Sequence, residues 1–475
     1  MTLDHTRVGG SVRARADTDS ARIRFRRAIT LVLMTLVLPG SAQLVMGNRR
    51  VGRVAVWIAL AVYVSVATFA VATLMDRGIG LSLLTNTEVL YVVRGVLVLL
   101  AIGWAVLFIN AWLLGYPPDL RRGHRLAMVG VSSSLCVVTA GTLLAAAHIV
   151  AVQRDFITHV FGSTAVSQPE QGRYNVLLLG GDSGSDRVGL RPDSLTVASI
   201  DADSGRTVLV SLPRNLEHAP FPEGSVMDKH FPDGFNRDGN YLNSINTWAT
   251  EHEKIFDDDV DHPGIEATKQ AVEETTGLKI NYYAMVNLQG FQDLVDAVGG
   301  LTLDVPERLP IGGVGGPITG HIEPGKQELD GFHALWFARS RATSDDYSRM
   351  ARQKCVMSAM LEQLSPKKVL TNVDDIAESS KRLLSTDIPA KELDTFVDLG
   401  LKAKSHKMST VSIVPPKIDT SDPDFDEIRS MVDDAIDKAE GKSSAKSSGD
   451  RGNGKKKSGD SRYEANQAEN LSSVC

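Results

Sequence analysis

Apolar residues are crowded into four blocks near the start of this 475-residue chain, at positions 29–46, 54–75, 89–114 and 126–152. Each of the last three is long enough to cross a bilayer, which takes roughly 20 apolar residues in a helix. The first is shorter and is broken by Leu38-Pro39-Gly40. Loop charges then orient the spans. Arg49, Arg50 and Arg53 follow the first block, and Arg121, Arg122 and Arg125 follow the third. Asp76, Arg77 and Glu88, between the second and third, give no basic excess. The positive-inside rule places both arginine-bearing loops in the cytoplasm, together with the N-terminus. That works if the first block is a re-entrant segment and the other three span. The chain is therefore expected to be a multi-pass plasma-membrane protein whose part after residue 152 is extracytoplasmic.

Residues 1–27 carry seven arginines against three aspartates and are expected to be a cytoplasmic basic tail. They are too long a polar lead for a cleavable signal peptide, and more spans follow. Residues 28–153 form the membrane region, 154–172 a tether, and 173–440 an α/β domain. From 441 to 475 Ser, Lys, Gly and Asp dominate without periodicity, which predicts disorder. A net charge of -6 gives no basic field for nucleic acid. The short tail has no helix-turn-helix pattern either. Three cysteines are too few for a disulfide framework, and Cys355 is expected to be a small core residue.

Within the α/β part, Tyr174-Asn175-Val176-Leu177-Leu178-Leu179-Gly180 reads as a strand buried on both faces. A polar loop follows it, of the kind that binds ligands at strand ends in open α/β sheets. Residues 195–200 and 207–212 are further strands. Helices are predicted over 240–254, 264–276 and 288–298, strands over 282–287, 301–305 and 408–414. Residues 311–320 are a glycine-rich segment, and a helix-to-strand passage leads from Leu329-Asp330-Gly331 into a cluster of arginines. In Trp336-Phe337-Ala338-Arg339-Ser340-Arg341, extended backbone would send Arg339 and Arg341 to one face. Arg349, Arg352 and Gln353 share a helix face. Planar guanidinium groups gathered this way suit phosphate oxygens. Asp182 and Asp193 flank the loop after the first strand, and Arg214 closes the next hairpin. Two carboxylates beside a phosphate cluster suit Mg²⁺, which takes oxygen ligands. A Walker-A lysine, zinc spacing and a convincing Ser/His triad are all missing.

These residues in order resemble the LytR-CpsA-Psr family. The resemblance rests on Gly180-Gly181-Asp182, Arg191-Pro192-Asp193-Ser194, Pro213-Arg214, and Arg339-x-Arg341 followed by Asp346-x-x-Arg349-x-x-Arg352-Gln353. It covers roughly residues 172–418. It implies a central mixed β-sheet flanked by helices. The implied enzyme is a phosphotransferase that moves a glycopolymer from a polyprenyl-pyrophosphate carrier to peptidoglycan and leaves a phosphodiester link. By the same resemblance Asp182 and Asp193 hold Mg²⁺. Arg191, Arg214, Arg339, Arg341, Arg349, Arg352 and Gln353 hold the pyrophosphate, and Arg214, Arg339, Arg341 and Asp346 are catalytic. Family members usually have Pro-Arg-Asp where this chain has Pro213-Arg214-Asn215, so a carboxylate is lost there. The lipid tail would lie in an apolar tunnel that the sequence does not locate. Arabinogalactan is the polymer suggested by association with actinobacterial members. Alternatives are a polyprenyl-pyrophosphate pyrophosphatase with water as acceptor, a membrane sensor or transcriptional attenuator, and a binding module without turnover.

Overall fold

The computed structural model describes residues 6–46, 49–75, 77–116, 118, 120–161, 166–181, 191–236, 239, 241–258, 260–313, 316–363, 384–442, 466 and 475. Two compact units divide the chain, Met1–Arg154 and Asp155–Cys475.

The first unit is helical: α1 (Thr6–Val37), α2 (Ser41–Val45), α3 (Arg49–Met75), α4 (Arg77–Thr85), α5 (Thr87–Leu114) and most of α6 (Arg122–Val160), whose residues from Asp155 onward belong to the second unit. Helices α3, α5 and α6 are long and apolar enough to cross a membrane. They leave large apolar side chains such as Trp57, Leu99 and Val137 on the outside, where water would be unfavourable and acyl chains would not. Pro39-Gly40 breaks the first apolar block into α1 and the five-residue α2. Gly40 sits at φ +93°, and a Cβ there would meet Ala55 Cβ at 2.6 Å, so α2 and α3 approach too closely for a side chain. Gln43, fully buried, donates to the Leu107 carbonyl and to Asn110 on α5.

The second unit is built on a six-stranded mixed sheet. Its strands are β1 (Arg173–Gly181), β2 (Pro192–Asp201), β3 (Thr207–Leu212), β4 (Tyr282–Asn287), β9 (Leu384–Thr386) and β10 (Ser409–Ser412), in the order β10-β3-β2-β1-β4-β9. β1 runs antiparallel to β2 and parallel to β4; β3 is antiparallel to β2 and parallel to β10. Two small antiparallel pairs lie apart from it, β5 (Leu301–Val305) with β8 (Gly325–Leu329), and β6 (Leu309–Gly312) with β7 (Ile318–Ile322). α7 (Val226–His230), α8 (Ile245–Glu251), α9 (Pro263–Thr276), α10 (Leu288–Ala297), α11 (Gly331–Arg339) and α12 (Asp346–Gln363) complete the part that positions the site, with a further helix at Phe425–Glu440.

One sheet face presents Leu177, Leu179, Leu195, Val197, Val208 and Val210 to α8, α9 and Phe425–Glu440. The alternate residues, among them Leu178, Ala198 and Leu209, face α12.

Two expectations are corrected, and one segment given no element from the sequence proves to hold a hairpin. The passage into the arginines runs from strand to helix: Asp330 caps α11 by accepting from the His333 amide at 2.8 Å, and helical hydrogen bonding continues through Arg339. The glycine-rich segment contains the β6–β7 hairpin, bulged at Gly312, whose φ is +93°. Cys355 is covalently paired with Cys475, so it is not a free core thiol. The expected disorder of residues 441–475 falls almost wholly outside the described residues.

Candidate functional site

β2 begins at the C-terminal edge of the sheet and brings Asp193 there; β3 ends nearby and delivers Arg214 two residues on. α12 starts beside them. Its neighbouring aspartates divide their work. Asp345 accepts from the Ser348 amide at 2.9 Å and caps the helix, whereas Asp346 turns to the arginines. Asp346 Oδ1 lies 3.1 Å from Arg214 Nε, 3.4 Å from Arg341 Nη1 and 3.0 Å from Arg349 Nη2. Asp193 Oδ1 takes Arg214 Nη1 at 2.5 Å, and its main-chain oxygen accepts from Arg349 at 2.9 Å.

The guanidinium groups outnumber the carboxylates among these side chains. Arg349 is only 2% exposed, and its Nε has no hydrogen-bond partner among the described residues. Burial lowers its pKa, with Arg214 and Arg341 adding repulsion that Asp346 and Asp193 only partly offset. Burial works against ionisation of Asp193, but Arg349 and Arg214 outweigh it and hold the carboxyl below its ordinary value. Arg214 is held above its ordinary value: Asp346 and Asp193 overcome its desolvation. An added anion would therefore relieve repulsion and satisfy a buried donor.

Next to this cluster a cavity of about 380 Å³ opens between the sheet, α10, α11 and α12. Leu178, Ala284, Val286, Phe291, Leu335, Met357 and Met360 line its apolar part, with Val160 and Phe161 at another wall. Asp193, Arg339, Arg349 and Gln353 belong to the same lining. Sequence reasoning named these four polar residues but none of the cavity's apolar lining. Its lining is chemically the same as core, and only the missing filler distinguishes it.

Asp193, Arg214, Arg339, Arg341, Asp346, Arg349 and Gln353 are thus brought together in the cluster or at the cavity. Arg191 is outside the cavity lining, 3.1 Å from Ser244 Oγ and 3.5 Å from Asn243 Oδ1; the Asn243 amide bonds the Arg214 carbonyl. Arg352 points elsewhere, to the carbonyls of Phe337 and Ser340, because its place on the helix turns it toward the end of α11. Asp182 lies outside the described residues. No cluster of three or more metal-ligating side chains occurs among the described residues. Asp193, ionised and partly open to solvent, has the hard-oxygen chemistry that suits a divalent cation.

The sequence matches the profile of the LytR_cpsA_psr family over residues 128–431, more than half its length. The chain belongs to the LytR-CpsA-Psr family. Among similar members, the polyisoprenyl-teichoic acid–peptidoglycan teichoic acid transferase TagU of Oceanobacillus iheyensis is 29% identical over 230 residues, 48% of this chain and 63% of that one. The probable cell wall biosynthesis protein LcpB of Corynebacterium glutamicum is 39% identical over 111 residues, 23% of this chain and 26% of that one. The chain thus spans less than two thirds of the curated relatives it matches. The crystal structure of B. subtilis TagV is 20% identical and covers 58% of this chain and 100% of its own, with a TM-score of 0.42, too low to add to what the sheet order itself shows.

Proposed function

We propose that this LytR-CpsA-Psr protein transfers a glycopolymer from a polyprenyl-pyrophosphate carrier to peptidoglycan outside the plasma membrane. One observation carries the reading: a set of guanidinium groups, Arg349 buried and Arg214, Arg339 and Arg341 half-buried, adjoins the apolar cavity. Such a site fits a diphosphate on a long hydrocarbon chain better than either half alone. Relatives named as transferases from polyisoprenyl-linked teichoic acid to peptidoglycan support the choice of partners.

Arg214, Arg341 and Arg349, with Arg339 and Gln353 from the cavity side, would hold the diphosphate. Asp346 would keep three of those arginines aimed while the site is empty. An acceptor hydroxyl would attack the sugar-side phosphorus, with polyprenyl phosphate as leaving group. Phosphoryl transfer of this kind depends mainly on positioning and on neutralising charge. Mg²⁺ held by Asp182 and Asp193 would add a Lewis acid. The arginine-rich loops and the Cys355–Cys475 bond, a linkage suited to oxidising compartments, support an extracytoplasmic domain on a multi-pass anchor.

The test uses the full chain in nanodiscs with lipid-linked donor and peptidoglycan. Polymer should become wall-bound, and R339A/R341A should reduce this by about 100-fold, since each charged hydrogen bond is worth about 1.5–3 kcal/mol. Release of free polymer without wall attachment would favour the pyrophosphatase, and unchanged attachment in the double variant would sink the site.

A further inference from the structure

Arg352 has the residue type of the phosphate-facing arginines and lies one turn from Arg349, yet its guanidinium is committed to the chain itself. Nε donates to the Phe337 carbonyl at 2.8 Å, and Nη2 donates to the Ser340 carbonyl. Nη1 and Nη2 also lie 3.5 and 3.4 Å from Ser344 Oγ. These acceptors belong to the end of α11 and the elbow that joins it to α12. Carbonyls at a helix C-terminus have no partner within the helix, so a buried cation there meets a real need. Arg352 is 5% exposed and is not part of the cavity lining.

Ser340 is the centre of this elbow. It is 1% exposed, and each of its polar groups is engaged. Its amide donates to the Trp336 carbonyl at 2.8 Å, its Oγ donates to the Pro310 carbonyl at 2.8 Å, and its own carbonyl accepts from Arg352. Arg339 and Arg341 are its two neighbours in the chain. The first lines the cavity and the second reaches Asp346. A helix end does not by itself send residues two apart to one place. Here a pinned peptide between them fixes where each departs.

We infer that Arg352 is a positioning residue that clamps the Ser340 peptide, so that Arg339 and Arg341 converge on the diphosphate, and that it does not touch the diphosphate itself. This rests on the functional reading above for its ligand, and on the elbow geometry alone for the clamp. A planar fork is needed because two carbonyls in different directions must be met at once. Lysine, a point donor, reaches one.

The test uses full-length protein in nanodiscs and two readouts. In hydrogen exchange, R352K should speed exchange in peptides covering residues 337–346 and leave the sheet strands unchanged. In calorimetry with farnesyl diphosphate, R352K should weaken binding by about tenfold, the equivalent of losing one charged hydrogen bond. In an R339A/R341A background the same substitution should change affinity by less than roughly twofold, the non-additivity expected of residues acting as one unit. R352M should follow R352K with a larger loss; if it fails to fold, R352K alone completes the cycle. Unchanged exchange in the elbow overturns the clamp, whatever the ligand. An equal loss in both backgrounds overturns it too, since Arg352 would then touch the diphosphate directly. Wild-type protein that does not bind farnesyl diphosphate sinks the functional reading, while the exchange comparison still decides the clamp.

Discussion

The two faces of the central sheet come from alternate residues of the same strands, yet one is filled and the other is hollow. Leu177, Leu179, Val197 and Val210 meet α8, α9 and the helix Phe425–Glu440 in continuous core. Leu178, Thr196, Ala284 and Val286 look onto a cavity of about 380 Å³. Hydrophobicity does not distinguish them; the covering elements do. The filled side receives three helices and a run of aromatic side chains, Phe221, Phe231 and Phe235. The hollow side is roofed by α12, whose flexible Met357 and Met360 edge the cavity without closing it. One face is close-packed core, and the other is left open.

The largest expected effect is on the filled face. Leu177→Ala should cost about 2–5 kcal/mol, because a close-packed site cannot collapse around the lost atoms. Denaturant unfolding measures it. A loss below about 1 kcal/mol would mean this face is as loose as its opposite. Next is Lys354, fully buried on α12, which donates to Ser412 Oγ. Burial brings its pKa down to about 7, well below that of an exposed lysine. The sign follows. Between about pH 7 and 10 the unfolded chain holds a proton that the folded chain has released, so stability rises with pH across that window and is flat below it. Lys354→Met should remove this slope and raise the melting temperature most at and below neutral pH. A pH-independent gain would show that the amine charge is irrelevant.

A smaller effect is expected for Ala284→Phe, which intrudes on the hollow face. Stability should change by less than about 1.5 kcal/mol, since space is available. Transfer from a long-chain donor should nevertheless fall, while inorganic diphosphate binding stays the same. Equal loss of both would mean that the cavity and the phosphate cluster are not separate subsites. The smallest shift belongs to Asp193. Its folded carboxyl titrates below the unfolded value, so its contribution is intact above about pH 4 and is lost as pH falls through the lower, folded pKa. Asp193→Asn should therefore lower stability at neutral pH, flatten the acid limb of the profile, and converge on the wild-type value at low pH.

The filled face was legible in the sequence because continuous apolar runs predict β1, β2 and β3 directly. α9, α10 and α12 also follow from helical spacing, and Gly299-Gly300 marks the end of α10. The β6–β7 hairpin was not legible, since Pro310, Gly312 and Gly313 interrupt any alternation. α11 was misread because Trp336 and Phe337 favour strands, and only tertiary packing makes them helical. In the site, residue type identified the arginines but not their targets. Arg349 and Arg352 are three positions apart on one helix, and nothing in that spacing says that one faces the anion cluster and the other a helix end. The hollow was invisible for a simpler reason: a void has no residues of its own.

That hollow has a kinetic consequence. Under the proposed transfer the occupant would keep the same oily tail in the same slot, and only its headgroup would lose one phosphate with the polymer. The grip on the tail would be unchanged by chemistry, so escape of the spent carrier is expected to pace repeated turnover. A rapid first round followed by a slower steady rate would be its signature, and a bilayer able to absorb the spent carrier should quicken the later rounds.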